Sequence, residues 1–252
     1  MKLLTYNILD GGRERTDILQ RIITGQQPDI VALQEANNFS PEQLAAWKTA
    51  LGMQHYILAR GGEQTENGTY DVVLFSKHPL HEVKALKLRN AAAFGAITYN
   101  KELCIGSVHL SPYTEDDRKS ELEQILSAIT QYKNCILLGD FNSLSHTDDY
   151  GNSWKNWSER RKKRFMTNGR IRHTITNMLA KHGFVDVGNH LHNHDLTYRE
   201  QVRIDYVFVT KPLLPDVKAI TVLKHADTAK ASDHYPIVVE FSSSSSRKSS
   251  TS

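Results

Sequence analysis

Residues 135–142, CILLGDFN, decide which fold to expect, because they join a continuously apolar run to two polar side chains. A short apolar run without alternation is typical of an inner strand that is covered on both faces. Asp140 and Asn142 would then lie at the carboxyl end of such a strand. The segment therefore predicts a layered protein with a polar site at one edge of a sheet.

The same placement recurs along the chain. Asn7 ends KLLTYN, Glu35 ends DIVALQE, and His109 nearly ends ELCIGSVHL. Strand ends that converge in a sandwich bring residues that are distant in sequence to one rim, where a rigid scaffold holds them in a cleft. The apolar runs that predict strands are 2–8, 29–34, 71–76, 93–99, 103–110, 135–138, 205–210, 219–223 and 236–241.

Helical patterns lie between these runs. The apolar residues of 114–132 recur at helical spacing, and Thr114 with Asp117 resembles a capping box at the start of that helix. Many strands with few helices favour an α+β sandwich with helices on the outside. Further helices are predicted over 13–24, 41–51 and 171–182, whereas 143–169 is predicted to be a long irregular segment.

The chain of 252 residues is long enough to form one large core, and we expect a single domain over residues 1–241. The remaining residues, 242–252, are rich in serine and predict a disordered tail. The formal net charge of +3 is too small to indicate a polyanionic partner by itself.

Compartment is indicated by the cysteines and by the amino-terminal segment. Cys104 and Cys135 both lie in apolar runs, so we expect two buried thiols and a cytoplasmic location. The amino-terminal apolar run is too short for a secretory signal, and no segment has the apolar length of a membrane span.

Each polar residue at a strand end has a simpler explanation when it is taken alone. An asparagine after a strand is usually a turn residue, a carboxylate there often caps a helix, and a lone histidine is usually satisfied by the backbone. The shared placement of these residues weakens the simpler explanations and favours a catalytic cleft.

Six motifs extend this set, and no one of them is specific alone: TYN at 5–7, LQE at 33–35, VHL at 108–110, GDFN at 139–142, RIDYVFV at 203–209 and SDH at 232–234. In this order they resemble the motif set of the endonuclease/exonuclease/phosphatase superfamily, which has the deoxyribonuclease I-like fold. The resemblance covers residues 3–241. It implies a four-layered α/β/β/α sandwich and phosphoester hydrolysis with Mg²⁺ or Mn²⁺.

The resemblance also implies roles for the site residues. Glu35 would be the main metal ligand, with Asn7 beside it and Asp233 as a second carboxylate, because hard divalent cations prefer oxygen. Asp205 would hold the imidazole of His234, which makes this pair suited to deprotonating water or polarising the phosphate.

The identity of the general base stays open at this point, because Asp140 is an alternative to His234. The Asn142 amide can donate to a phosphate oxygen that gains charge in the transition state.

His109 helps to indicate which subgroup of the superfamily the chain resembles. By resemblance, it stands where deoxyribonuclease I and sphingomyelinase-like members have a histidine and abasic-site endonucleases tend to have a tyrosine. Asp71 opens the strand where a carboxylate partner for this histidine would lie. Abasic-site endonucleases also tend to have an acidic residue two positions after the first asparagine, where this chain has Leu9, followed by Asp10. These features argue against abasic-site repair.

The segment 154–172 is strongly basic and contains Trp154, Trp157 and Phe165. Basic and aromatic side chains together serve phosphate contact and base stacking, so Trp154 and Arg164 are candidate substrate-binding residues. The alternative is a solvated loop whose charges have no specific role.

Arg199 and Arg203 could also contact phosphate, since a guanidinium group matches phosphate oxygens. For Arg203 the alternative is an internal pair with a carboxylate.

Three hypotheses about function follow from the sequence. The first is a nuclease or phosphodiesterase acting on nucleic acid, which the basic aromatic segment favours. The second is a phosphoesterase for a small molecule or lipid headgroup, because fold does not settle substrate. The third, a binding protein with a dead site, conflicts with the intact motif set. By resemblance, we expect a monomer.

Overall fold

The computed structural model describes residues 1–99, 101–151 and 153–242. The predicted disordered tail, 242–252, lies outside the described residues from position 243 onward. Within the described residues, no helix combines the length and the apolar character needed to cross a lipid bilayer.

All the predicted strands are present, with ends that agree to within two residues. In chain order, the strands of the described residues are β1 (Lys2–Asn7), β2 (Ile30–Gln34), β3 (His55–Ala59), β4 (Gln64–Thr65), β5 (Gly68–Thr69), β6 (Val72–Ser76), β7 (His81–Lys87), β8 (Ala91–Thr98), β9 (Glu102–His109), β10 (Cys135–Asp140), β11 (Met166–Thr167), β12 (Arg170–Ile171), β13 (Phe184–Asp186), β14 (Asp205–Thr210), β15 (Val217–Val222) and β16 (Ile237–Phe241).

The longer strands form two six-stranded sheets, ordered β15-β16-β1-β2-β6-β3 and β13-β14-β10-β9-β8-β7. Near its centre each sheet has one parallel pair, β1 with β2 in the first and β9 with β10 in the second. The other pairs are antiparallel. The carboxyl ends of the two parallel pairs meet at one edge of the sandwich, where Asn7 of β1 contacts Asp140 of β10.

The helices of the described residues are α1 (Thr16–Gly25), α2 (Pro41–Ala50), α3 (Glu115–Ile129), α4 (Glu159–Phe165), α5 (Thr174–Lys181), α6 (Val187–His190) and α7 (Ala226–Ala231). Short 3-10 helices cover Arg13–Arg15, Ser153–Asn156 and Lys211–Asp216. The predicted capping box of α3 is confirmed, because the Thr114 side chain accepts from the Asp117 backbone and the Asp117 side chain accepts from that of Thr114.

Three apolar cores define four layers. Leu3, Ile30, Ile105 and Ile136 belong to the core between the two sheets. A second core joins the outer face of the first sheet to α1 and α2, and a third joins the outer face of the second sheet to α3 and α5. Burying one large aliphatic side chain contributes roughly 1.5–3 kcal/mol, so these cores account for the layering. The predicted α/β/β/α sandwich is confirmed.

The expectation that 143–169 is irregular throughout is wrong, because α4 lies within it. The sequence of α4, ERRKKRF, has one apolar residue, Phe165, and therefore shows no helical periodicity. Phe165 packs with Trp157, Leu144 and Ile204 in a separate small core, which holds α4 against the body of the domain. Tertiary contact, not amphipathic pattern, makes this segment helical.

Candidate active site

Asp140 lies at the centre of the site. Its Oδ2 atom is 3.6 Å from Nε2 of His109 and 3.8 Å from Nε2 of His234, and it accepts a hydrogen bond from Asn7 Nδ2 at 3.2 Å. The preceding Gly139 has φ +144°, and a Cβ there would lie 2.0 Å from the Val108 carbonyl oxygen. Glycine at this position therefore lets β10 approach β9 closely enough to set Asp140 beside His109.

Asp205 and His234 form a buried pair. Asp205 is the first residue of β14 and pairs with Asp140 across the sheet. Its Oδ2 atom lies 2.9 Å from His234 Nδ1. Burial by itself would lower the pKa of His234, but the negative charge of Asp205 and the hydrogen bond to it raise this pKa to about 9. The imidazole is therefore protonated at neutral pH, and its Nε2 faces the central carboxylate.

The pKa values of Asp140 and His109, the two other ionisable groups at the centre, shift in opposite directions from each other. Burial, with a contribution from the Asp205 charge, raises the pKa of Asp140 to about 7. Burial, followed by the positive charges of His234 and Arg164, lowers the pKa of His109 to about 3. His109 is thus neutral at pH 7, whereas Asp140 exchanges its proton near that pH.

Asn7 connects the first sheet to the second. Its Nδ2 donates to Glu35 Oε1 at 3.1 Å as well as to Asp140, while its Oδ1 accepts from the Leu9 backbone at 3.1 Å. The amide oxygen is therefore engaged by the backbone, and in this arrangement Asn7 holds two carboxylates in place.

Glu35 follows β2 with φ +57°, a left-handed conformation that is costly for a residue with a side chain. Its Oε2 accepts from the Asp10 backbone at 3.0 Å, and burial raises its pKa. Among the described residues, no lysine or arginine forms an ion pair with Glu35. A bound divalent cation would offset the cost of its buried charge, so this carboxylate fits a metal-ligand role.

Two further places in the site bear on cation binding, namely a cluster that includes Asp140 and the separate carboxylate of Asp233. Asp140, Asp205 and His234 each offer a ligand atom within 4.8 Å of the others and could hold a cation. Asp233 lines the same cleft, where its Oδ2 accepts from Nε and Nη2 of Arg199 at 3.2 and 3.0 Å. A cation at Asp233 would compete with this arginine.

Asn142 follows Asp140 with φ +51° and sits with its backbone N–H donating to Asp140 Oδ1 at 2.8 Å. Its Nδ2 donates to the Leu110 carbonyl at 2.8 Å, and its buried Oδ1 has no hydrogen-bond partner among the described residues. The backbone N–H of Asn142 therefore helps to orient Asp140, and the residue also lines the cleft.

The expected pairing of Asp71 with His109 is wrong. Asp71 is fully buried and accepts hydrogen bonds from Arg60 Nη1 at 2.6 Å, the Gly61 backbone at 2.9 Å and Thr69 Oγ1 at 2.6 Å. His109 Nδ1, in turn, has no hydrogen-bond partner among the described residues. Asp71 tethers the loop before β6, since its oxygens are occupied there.

The cleft at these residues is also lined by side chains that the sequence motifs did not indicate. They include Leu9, Asp10, Tyr70, Pro112, Arg160 and Tyr198. The Tyr198 ring lies 4.8 Å from that of His234, and the Tyr70 ring lies 5.8 Å from that of His109. Neither tyrosine ends a predicted strand, so the placement rule that found the central residues could not find them.

Two of the predicted substrate-binding residues, Arg164 and Arg199, line the cleft. Trp154 does not line it and instead packs, partly buried, against the small core under α4. Trp157 and Phe165 are 7% and 1% exposed, so they cannot stack on a substrate base. The aromatic part of the basic segment thus has a structural role.

Arg203 has the internal partners that the sequence left as the alternative. Its Nη2 lies 2.7 Å from carboxylate oxygens of both Asp148 and Asp186, and its guanidinium lies 4.5 Å from the Tyr206 ring centroid. The arginine is 3% exposed. Its expected contact with substrate is therefore wrong, and the side chain joins the segment at Asp148 to the end of β13.

This network predicts a stability effect. The Arg203→Lys variant is expected to lose about 1–3 kcal/mol of unfolding free energy, because an ammonium group keeps the charge but cannot donate to both buried carboxylates as the guanidinium group does. Urea unfolding monitored by circular dichroism measures this loss. The matched control is Arg170→Lys at an exposed site, which should unfold like the wild type. Equal midpoints for the two variants would contradict the assignment.

Comparison with known proteins agrees with this architecture. No curated protein sequence matches the chain significantly. Solved structures match over 96% of the chain: a 3′ phosphatase from Neisseria bound to product DNA hairpin (18% identity, 99% of that chain, TM-score 0.72) and an AP endonuclease from Archaeoglobus fulgidus (18%, 99%, 0.73). A third is an endonuclease/exonuclease/phosphatase family protein from Leptotrichia buccalis (20%, 99%, 0.70). At these identities the structures establish the fold alone.

The sequence model of the Endonuclease/Exonuclease/phosphatase family matches residues 4–234, which covers nearly all of the described domain and every residue of the central cluster. The chain therefore belongs to the endonuclease/exonuclease/phosphatase family.

Proposed function

We propose that this protein is a divalent-metal-dependent phosphodiesterase that hydrolyses nucleic acid. The observation that carries the proposal is the position of Asp140, between the Nε2 atoms of His109 and His234, in a cleft that Arg160, Arg164 and Arg199 also line. Acid–base groups next to several guanidinium groups suit hydrolysis of an anionic ester.

Glu35 is the residue proposed to hold Mg²⁺ or Mn²⁺, with Asp233 as a second carboxylate and Asn7 positioning Glu35. When bound, such a cation neutralises charge on the phosphate and lowers the pKa of coordinated water. The fit rests on the partly buried Glu35 carboxylate, which forms no ion pair with a lysine or arginine among the described residues, and on the preference of these ions for carboxylate oxygen.

The geometry favours Asp140 as the general base over His234. The Asp205 carboxylate keeps His234 protonated, so its Nε2 donates a hydrogen bond and stabilises negative charge on the phosphate. Asp140 has a pKa near 7 and can accept a proton from water at neutral pH. Neutral His109 and the Asn142 amide provide further polar groups beside the reacting phosphate.

Nucleic acid is favoured over a small molecule or lipid headgroup because the basic helix α4 forms one wall of the cleft through Arg160 and Arg164. A second argument is that one structurally similar protein, the 3′ phosphatase from Neisseria, is bound to product DNA hairpin. We propose in addition that the protein acts as a monomer in the cytoplasm.

A substrate comparison tests the proposal. Hydrolysis of supercoiled DNA, single-stranded RNA and bis-para-nitrophenyl phosphate is measured with Mg²⁺, and again with EDTA. We expect metal-dependent cleavage of a nucleic acid. We also expect the affinity of the protein for that nucleic acid to fall steeply as salt rises, since each phosphate contact contributes about 0.7–0.9 to the slope of log affinity against log salt concentration. Cleavage of the small diester alone would move the substrate to a small molecule or lipid headgroup. No cleavage of any ester would support the dead-site alternative.

A further inference from the structure

A groove adjoins the cleft on the side of α4. It is lined by residues of three segments, namely Arg89, Pro112, Tyr113, Asp117, Arg160 and Lys163. Pro112 and Arg160 line the cleft as well as the groove, so the two depressions share a wall. A chain-like substrate whose phosphate lies beside Asp140 would continue into this groove.

Tyr113 is the groove's exposed aromatic side chain. Among the described residues, the large aromatic side chains that are strongly exposed are Tyr113, at 42%, and Tyr56, at 40%. The Tyr113 hydroxyl donates to Glu63 at 3.1 Å, and the guanidinium of Arg89 lies 5.0 Å from the ring centroid. These contacts hold the ring in place, and because Arg89 covers one of its faces, the solvent-exposed remainder of the ring is the part on which a base can stack.

The charges around the ring suit an anion. Arg160 and Lys163 lie one turn apart on α4, and neither forms an ion pair with another described residue. The acidic groups nearby are already occupied, because Arg89 lies 2.8 Å from Glu63 and 3.9 Å from Asp117. Two cations without carboxylate partners among the described residues therefore line the groove together with Tyr113.

We propose that this groove binds the nucleotide next to the scissile phosphate, with its base stacked on Tyr113 and its phosphate held by Arg160 and Lys163. The inference rests on the proposed function and deepens it. A base can stack on a side chain only when its face is free, so the groove selects single-stranded or locally unpaired nucleic acid over continuous duplex. Tyr113 thus acts as a specificity-determining residue.

Binding without turnover tests the groove separately from catalysis. Fluorescence anisotropy in EDTA is recorded for a fluorescein-labelled single-stranded oligonucleotide and for its duplex. We expect the wild type to bind the single strand more tightly. The Tyr113→Ala variant should bind it roughly 5- to 150-fold more weakly, as loss of one stacked base predicts. The Tyr113→Phe variant keeps the ring but loses the hydrogen bond to Glu63, so it should bind the single strand more tightly than Tyr113→Ala does.

Matched controls separate stacking and charge from general damage. Tyr56→Ala removes a similarly exposed ring from β3, outside both the cleft and the groove, and should leave binding unchanged. Lys163→Ala should weaken binding, whereas Lys162→Ala, which removes a lysine that pairs with Glu159 at 2.9 Å, should weaken it less. Circular dichroism melting of each variant verifies folding.

The outcomes distinguish this inference from the proposed function. Equal affinity of the wild type and a folded Tyr113→Ala variant, or tighter binding of the duplex, overturns the groove assignment even if the wild type cleaves nucleic acid. Absence of nucleic-acid hydrolysis with metal present overturns the proposed function instead, and the anisotropy result then still decides whether the groove binds a single strand.

Discussion

The His234→Asn variant is expected to hydrolyse its substrate about 10²- to 10⁴-fold more slowly than the wild type, with a much smaller change in KM. The reason lies in the pair with Asp205, which keeps the imidazole protonated and aims Nε2 at the centre of the cleft. Asparagine cannot supply a cationic donor at that position. The loss corresponds to roughly 3–5.5 kcal/mol of transition-state stabilisation.

Single-turnover kinetics with saturating enzyme measure this effect on the chemical step. His182→Asn is the matched control, since His182 is exposed at the end of α5 and lines neither the cleft nor the groove. The control should retain the wild-type rate. A fall of less than about tenfold in the His234 variant would contradict its place beside the reacting phosphate.

The Glu35→Gln variant is expected to bind Mg²⁺ at least 100-fold more weakly and to lose nearly all turnover at ordinary metal concentrations. Loss of an outer partner of a metal site typically costs about 10–100-fold, and loss of a ligand carboxylate costs more. The substitution removes one negative charge and leaves the shape of the side chain almost unchanged. Asn7 Nδ2 and the Asp10 backbone N–H bind different oxygens of Glu35, and the single amide oxygen of glutamine can accept from only one of them, so circular dichroism of the variant verifies its folding.

Isothermal titration with Mg²⁺ and activity measured over a range of metal concentrations determine both quantities. Glu123→Gln makes the same chemical change at an exposed position on α3 and should leave both unchanged. Wild-type affinity in the Glu35 variant would exclude this carboxylate as a ligand. The cation would then be sought at Asp140, Asp205 and His234, which also lie close enough together to hold one.

The fold could be predicted wherever a buried strand or helix has a recognisable local sequence pattern. Runs such as CILLG are apolar on both faces because β10 lies inside the sandwich, and α3 has both a capping box and a periodic apolar face. Two of the strands that the prediction missed have weaker signals. β7 is mostly exposed, and β13 is three residues long, so neither has the apolar run that marks a buried strand.

The central cluster was indicated by one geometrical rule, that residues at strand ends converge at a rim. The structure brings Asn7, Glu35, His109 and Asp140 together at the ends of the two parallel pairs. The rule says nothing about which partner each side chain finds. Asp71 precedes its strand, and because β6 runs antiparallel to β2 it reaches the same rim, yet its carboxylate binds Arg60, which follows β3.

Sequence by itself therefore determined the layers, the family motifs and the rim where the polar residues meet, because strand periodicity and strand ends are local properties. Only the tertiary structure decided that Arg203 is buried against two carboxylates, that Trp157 and Phe165 belong to a core, and that Tyr113 faces a groove. Charge and aromatic character are visible in a sequence. Whether such a side chain faces a substrate or the protein interior depends on neighbours from distant segments, which no local pattern specifies.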